Sequence, residues 1–171
     1  MTTNYRDVPE LQKYIDLVEN EGKNGVKKCC KWQKKLIKFV KKCFENENLT
    51  IDTEQLKKYM GLQKYFDFEL FEWEQFVFTL HCCVFREDGL PRFPDLLIFV
   101  ARGAGKNGYL AFEDFAMISP YSNLQQYDVD ICATAEEQAR TSFDDIYNVL
   151  EKHRKTLIKF FRWTKSEIQC R

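Results

Sequence analysis

The run Leu96-Leu97-Ile98-Phe99-Val100-Ala101-Arg102-Gly103-Ala104-Gly105-Lys106-Asn107-Gly108 constrains this chain more than any other stretch. Its apolar part, Leu96 to Ala101, is bounded by Pro94 and Gly103. It has the length and composition of a strand buried on both faces, as in a parallel sheet. Glycines at 103, 105 and 108 let the backbone turn tightly and present N–H groups to an anion. The pattern over 107–118 predicts a helix, stopped by Ser119-Pro120, whose unpaired N–H groups and dipole favour negative charge. Strand, glycine turn, lysine and helix follow one another in the order that cradles phosphate.

Against Gly-x-x-x-x-Gly-Lys-Ser/Thr, the P-loop pattern, two positions depart. Val100 stands at the first glycine, and Asn107 stands where a hydroxyl would hold magnesium. An amide oxygen also ligates magnesium. Lys106 has the reach and charge to meet the β- and γ-phosphates. The competing reading is a glycine-rich strand-to-helix turn with a surface lysine.

The rest of the chain supplies context. Helices are predicted over 8–20, ending near Gly22 and Gly25, and over 26–43. In the second, Val26, Cys29, Cys30, Gln33, Leu36, Ile37, Val40, Cys43 and Phe44 recur at helical spacing while lysines fill the other face, with Trp32 and Phe39 among them. That lysine face reads either as a solvated or docked surface or as a contact for DNA phosphates. Asp52 and Gln55 resemble a capping box for a helix ended by Gly61, and Asp67 is the expected cap of another carrying Leu70, Trp73, Val77, Leu80 and Val84 inward. Glu87 to Pro91 breaks the chain. Val129 to Ala133 reads as a second strand, Thr134 and Glu137 as a capping box for a helix to about residue 152, and Thr156–Ile168 as the start of a third strand. Strand, helix, strand, helix makes a right-handed βαβ unit. Asp144-Asp145 and Glu113-Asp114 read as solvated helix faces.

At 171 residues the chain is long enough for one domain with an extension, and its formal net charge of zero leaves no global field to draw it to nucleic acid or membrane. Seven cysteines, an odd number with no Cys-x-x-Cys, fit small apolar residues in a reducing cytosol better than a disulfide framework. With two histidines there is no zinc-like spacing. The polar N-terminus and the lack of any run near the roughly 18–20 residues of a membrane span lead to the expectation of a cytoplasmic protein without export or membrane insertion.

Three stretches together resemble the large terminase subunit of tailed bacteriophages, the ATP-driven motor that packages viral DNA into procapsids. Phe71-Glu72-Trp73-Glu74-Gln75-Phe76-Val77 is similar to the family's Trp-containing helix ahead of the P-loop. Val100 to Gly108 is similar to its variant P-loop, with an arginine inside the loop. Ile131-Cys132-Ala133-Thr134-Ala135-Glu136-Glu137-Gln138-Ala139-Arg140 is similar to the segment after its second strand.

The resemblance implies a helix-rich α/β fold. A helical N-terminal extension (1–66) precedes an incomplete P-loop ATPase domain (67–171) with a βαβ unit and a parallel sheet of two or three strands. It implies ATP and Mg2+ as cofactors. Gly103, Ala104, Gly105, Lys106, Asn107 and Gly108 would bind nucleotide, with Asn107 also touching the metal. Arg102 is the catalytic candidate, steadying γ-phosphate charge or making a structural salt bridge. Trp73 packs beside the base or serves as a core aromatic. Glu74 stands where many members have Gln, which leaves Gln75 open as the adenine reader. Thr134 and Gln138 fit a cap and a helix surface.

The implied partners of the intact protein are double-stranded viral DNA, the portal protein and the small terminase subunit. No apolar strand ending in Asp-Glu and no acidic nuclease cluster occurs in the sequence. The expectation is therefore a chain that holds nucleotide without hydrolysing it, with an exposed sheet edge and a tendency to self-associate. The alternative is a non-enzymatic, phage-derived helical interaction protein with a vestigial loop.

Overall fold

Helices form where the sequence carries helical periodicity. The computed structural model describes residues 4–21, 23, 28–122, 124 and 127–171. Its order is α1 (Pro9–Glu19), α2 (Lys31–Asn46), β1 (Thr50–Ile51), α3 (Thr53–Met60), α4 (Glu72–Cys83), β2 (Val84–Phe85), α5 (Lys106–Met117), α6 (Glu136–Lys152), α7 (Arg154–Leu157), β3 (Phe161–Trp163) and β4 (Ile168–Cys170), with short 3-10 turns at Tyr5–Asp7 and Gly61–Tyr65. Gly22, Gly25 and Val26, used above to bound the first two helices, lie outside the described residues. The chain divides into two compact units, Met1–Leu56 with Phe71–Leu97, and Lys57–Leu70 with Ile98–Arg171.

In the first unit α1 packs on α2 and α4. Pro9 opens α1, where its fixed φ suits the first turn, and Leu11, Ile15 and Val18 form its buried stripe. Ile37, Val40 and Cys43 do the same for α2, while Gln33 spans from the Cys30 N–H to the Tyr14 hydroxyl. The Asp52 carboxylate accepts the Gln55 N–H at 2.8 Å and caps α3 as the sequence predicts. On α4 the buried face is Phe76, Phe78, Leu80, Cys82 and Cys83; Trp73 and Val77 are only half-buried. The cap of α4 differs from expectation. Phe71 is its N-cap, and the Glu74 carboxylate reaches back to the Phe71 N–H at 2.8 Å. Asp67 instead pairs with Lys152. β1 and β2 pair antiparallel, Ile51 opposite Val84.

In the second unit α5 packs on α6 around an aromatic core. Phe66 meets Phe112 and Phe115 edge-on at 5.6 Å, and Phe115 stacks on Phe161 at 5.3 Å. β3 and β4 form an antiparallel hairpin with Arg162 opposite Gln169. The Thr156–Ile168 segment therefore turns back on itself and does not extend a parallel sheet. Its turn is closed by the Thr164 hydroxyl, which accepts the Ser166 and Glu167 N–H groups.

The fold is helix-rich, but both sheets among the described residues are two-stranded and antiparallel. No parallel P-loop sheet is formed there. Leu96–Ala101 and Val129–Ala133 form no strand, because a strand is held by ladder bonds and no described neighbour supplies them. The apolar surface expected at this point is real: Leu97 is 94% and Phe99 98% exposed. No helix among the described residues is long and apolar enough to cross a membrane.

Candidate phosphate-binding cleft

The glycine loop turns the chain through two left-handed residues. Gly103 and Gly105 take φ of 81° and 93°, values that L side chains rarely adopt, and the Ala104 N–H closes a turn on the Ala101 carbonyl at 3.2 Å. Gly105 is the N-cap of α5 and its carbonyl accepts the Tyr109 N–H. No side chain caps this helix, so its first N–H groups face the loop without a protein acceptor. Lys106 follows at the first helical position.

Gly108 has a different role. It lies one turn into α5, and a Cβ there would come within 3.1 Å of the Phe68 ring. Its missing side chain lets that ring lie on the helix. That packing role stands beside the backbone-donor role expected from the sequence, since Gly108 also lines the cleft.

The loop forms one wall of a cleft of about 710 Å³. Arg102, Gly103, Ala104, Gly105, Lys106, Asn107 and Gly108 all line it, so the structure brings these predicted residues together. A second wall is Ile131 to Ala133. The third is the α6 face carrying Gln138, Thr141 and Ser142. Thr141 and Ser142 were not expected. Their spacing of three and four residues from Gln138 puts all three on one helical face, and that spacing is the signal that finds them. Neither Arg102 nor Lys106 forms an ion pair with a described residue, so the salt-bridge alternative for Arg102 has no partner here. Among the described residues no acidic side chain lines the cleft.

Two further readings change. Thr134 does not cap α6, which starts at Glu136 after Ala135; its hydroxyl donates to the Gln138 side chain at 3.2 Å. Asp114, read as solvated, is half-buried on α5, and burial with the neighbouring Glu113 carboxylate pushes its carboxyl up to about 7. Asp144 pairs with Arg140 on the surface of α6.

Trp73 sits half-buried on α4 in the first unit. Its neighbour Glu74 is only 2% exposed, with one oxygen on the Phe71 N–H and the other without a partner, and burial raises its carboxyl above the ordinary range. Glu74 thus has a structural explanation, as the reciprocal half of a helix cap. No disulfide bond joins the described cysteines.

No family model, curated protein or solved structure matches this chain. The case for function therefore rests on the cleft. It offers an anion two cations without counter-charges, a helix N-terminus and backbone N–H groups held open by two left-handed glycines. A phosphate group fits that donor set. For magnesium the loop offers the Asn107 amide, and no group of three or more His, Cys, Asp or Glu side chains gathers among the described residues.

Proposed function

We propose that this chain is the nucleotide-holding front part of a terminase-like packaging ATPase, binding the phosphates of Mg-ATP in the glycine-loop cleft without hydrolysing it. The observation that carries the reading is the loop itself. Gly103 and Gly105 turn the backbone through left-handed conformations directly into the N-terminus of α5, and Arg102 and Lys106 stand bare on the same cleft. Lys106 and the loop N–H groups would hold β- and γ-phosphate oxygens, Arg102 the outer phosphate charge, and Asn107 the magnesium. Magnesium, when bound, neutralises phosphate charge. The lack of a carboxylate in the cleft argues against turnover by this chain alone, since nothing there orients an attacking water.

In the intact motor the partners would be double-stranded DNA, the portal protein and the small terminase subunit, in the cytoplasm of an infected bacterium. Trp73 as the adenine neighbour belongs to the same proposal.

Thermal unfolding with and without Mg-ATP tests the reading. Nucleotide at a hundred times its dissociation constant stabilises by about 2.7 kcal/mol, a shift of several degrees that Lys106→Ala abolishes. No shift, or an equal shift in Lys106→Ala, would overturn it. That result would favour the second reading, a helical interaction protein with a vestigial loop, for which the absence of a paired strand over Leu96–Ala101 among the described residues speaks: in a working site a formed strand holds the loop rigid.

A further inference from the structure

The face of α2 turned to solvent has two halves. Six lysines and one glutamate occur along this helix. Lys41 pairs with Glu19 at 2.7 Å, and Lys34 pairs with Glu21. Lys31, Lys35, Lys38 and Lys42 have no acidic partner among the described residues. At helical spacing of three and four they form one ridge, about 16.5 Å long at 1.5 Å per residue.

Beside that ridge runs a stripe of bare apolar side chains, Trp32 at 64%, Leu36 at 36% and Phe39 at 51% exposed. Trp32 and Phe39, seven residues apart, lie on the same side about 10.5 Å from one another along the axis. The Lys35 and Lys31 ammonium groups stand 4.7 and 5.3 Å from the Trp32 ring centroid. Phe39 meets Phe93 edge-on at 6.4 Å, which carries the aromatic surface past the helix.

Charge calls for an anionic partner, and the bare rings narrow the choice. A duplex hides its base faces in the stack, so it would use the ridge and leave the rings in water. A bilayer needs a broad apolar arc, but of the other apolar side chains of α2, Ile37, Val40 and Cys43 face the protein core and Phe44 stacks on Tyr5. An extended single strand offers phosphates along one side and base faces along the other, which is the layout of cation ridge and ring stripe. No acceptor side chain sits on the stripe to take a 2′-hydroxyl, so nothing selects RNA.

We infer that the exposed face of α2 is a docking surface for single-stranded DNA, with Lys31, Lys35, Lys38 and Lys42 on successive phosphates and Trp32 and Phe39 as stacking platforms. It belongs to the first unit, whereas the glycine-loop cleft belongs to the second, and it does not depend on nucleotide binding there.

Fluorescence anisotropy of a labelled oligothymidylate of about 16 nucleotides, the upper end of one module's site size, tests this on the full chain without nucleotide. Four phosphate contacts on a single strand predict a log–log salt slope of about −2.8. Lys35→Gln lowers the slope by about 0.7, while Lys34→Gln, whose lysine already has a counter-charge, changes it less. Trp32→Ala weakens binding by about tenfold or more, and Trp32→Phe keeps most of it. Circular dichroism and melting of both Trp32 variants match the parent, because the side chain is outside the core. Any of four results overturns the inference: no binding at low salt, affinity unchanged in Trp32→Ala, a duplex or an oligouridylate bound more tightly than the oligothymidylate, or capture by phosphatidylserine vesicles alone.

Discussion

Replacing Asp114 with Asn removes a carboxyl that is charged in the unfolded chain at neutral pH but half-protonated in the folded one. Asp114 lies on α5 beside a cavity shared with Ile118, Phe143, Ile146 and Ile168, and also with Asp128, Asp130 and Glu167. Burial, followed by the adjacent Glu113 charge, lifts it from 3.8 to about 7. Between these values the folded chain holds a proton that the unfolded chain has released, so stability falls as pH rises through that window and is flat on either side. A separation of about three units corresponds to about 4 kcal/mol at about 1.4 kcal/mol each. Water in the cavity still reaches the carboxyl and screens part of this, leaving about 2 kcal/mol.

Asn stays neutral throughout. Urea unfolding at about pH 4 should show parent and Asp114→Asn within a few tenths of a kcal/mol, and at about pH 8 the variant should be the more stable by about 2 kcal/mol. A difference of the same size and sign at both pH values would refute the assignment, because a packing or hydrogen-bond effect has no reason to follow this titration.

Two further outcomes follow from the loop and the thiols. Gly103→Ala and Gly105→Ala should each cost about 1–2 kcal/mol, since both residues sit at positive φ. Gly108→Ala should cost nothing or stabilise by up to about 1 kcal/mol, because the exposed Phe68 ring can give way, and equal losses at all three glycines, read from denaturant midpoints, would contradict this division. With a thiol reagent under native conditions, Cys30, Cys132 and Cys170 should react first and Cys43, Cys82 and Cys83 last, as their exposure and the raised Cys83 thiol require; early labelling of Cys83 would mean its surroundings open readily.

Helices with strong local signals were legible in the sequence. Pro9 with a buried stripe gave α1, the Asp52 cap gave α3, and Gly105-Lys106 ahead of an apolar periodicity gave α5. Signals that compete with a second solution were read wrongly. Asp67 and Thr134 both have the chemistry of a cap, but Glu74 caps α4 by reaching backwards and Asp67 is drawn to Lys152. The Phe161–Cys170 hairpin escaped notice because its turn is closed by a threonine hydroxyl rather than by glycine. In the cleft, the loop declared itself through its glycines and lysine. The α6 wall did not, because Thr141 and Ser142 acquire meaning only once α6 is laid against α5. The apolar run Leu96–Ala101 was recognised as strand material, but composition says nothing about whether neighbours exist to bond it.

The order in which the two units use the chain bears on how the protein is made. Lys57–Leu70 interrupts the first unit, whose remaining part, Phe71–Leu97, carries α4, the helix against which α1 packs. On a ribosome the interval between the emergence of Leu56 and that of Cys83, the last residue of α4, lasts about 1–5 s at about 5–20 residues per second. Through that interval Leu11, Ile15 and Val18 have no α4 to cover them. The first unit thus closes only when α4 arrives, after the Lys57–Leu70 part of the second unit has already been made.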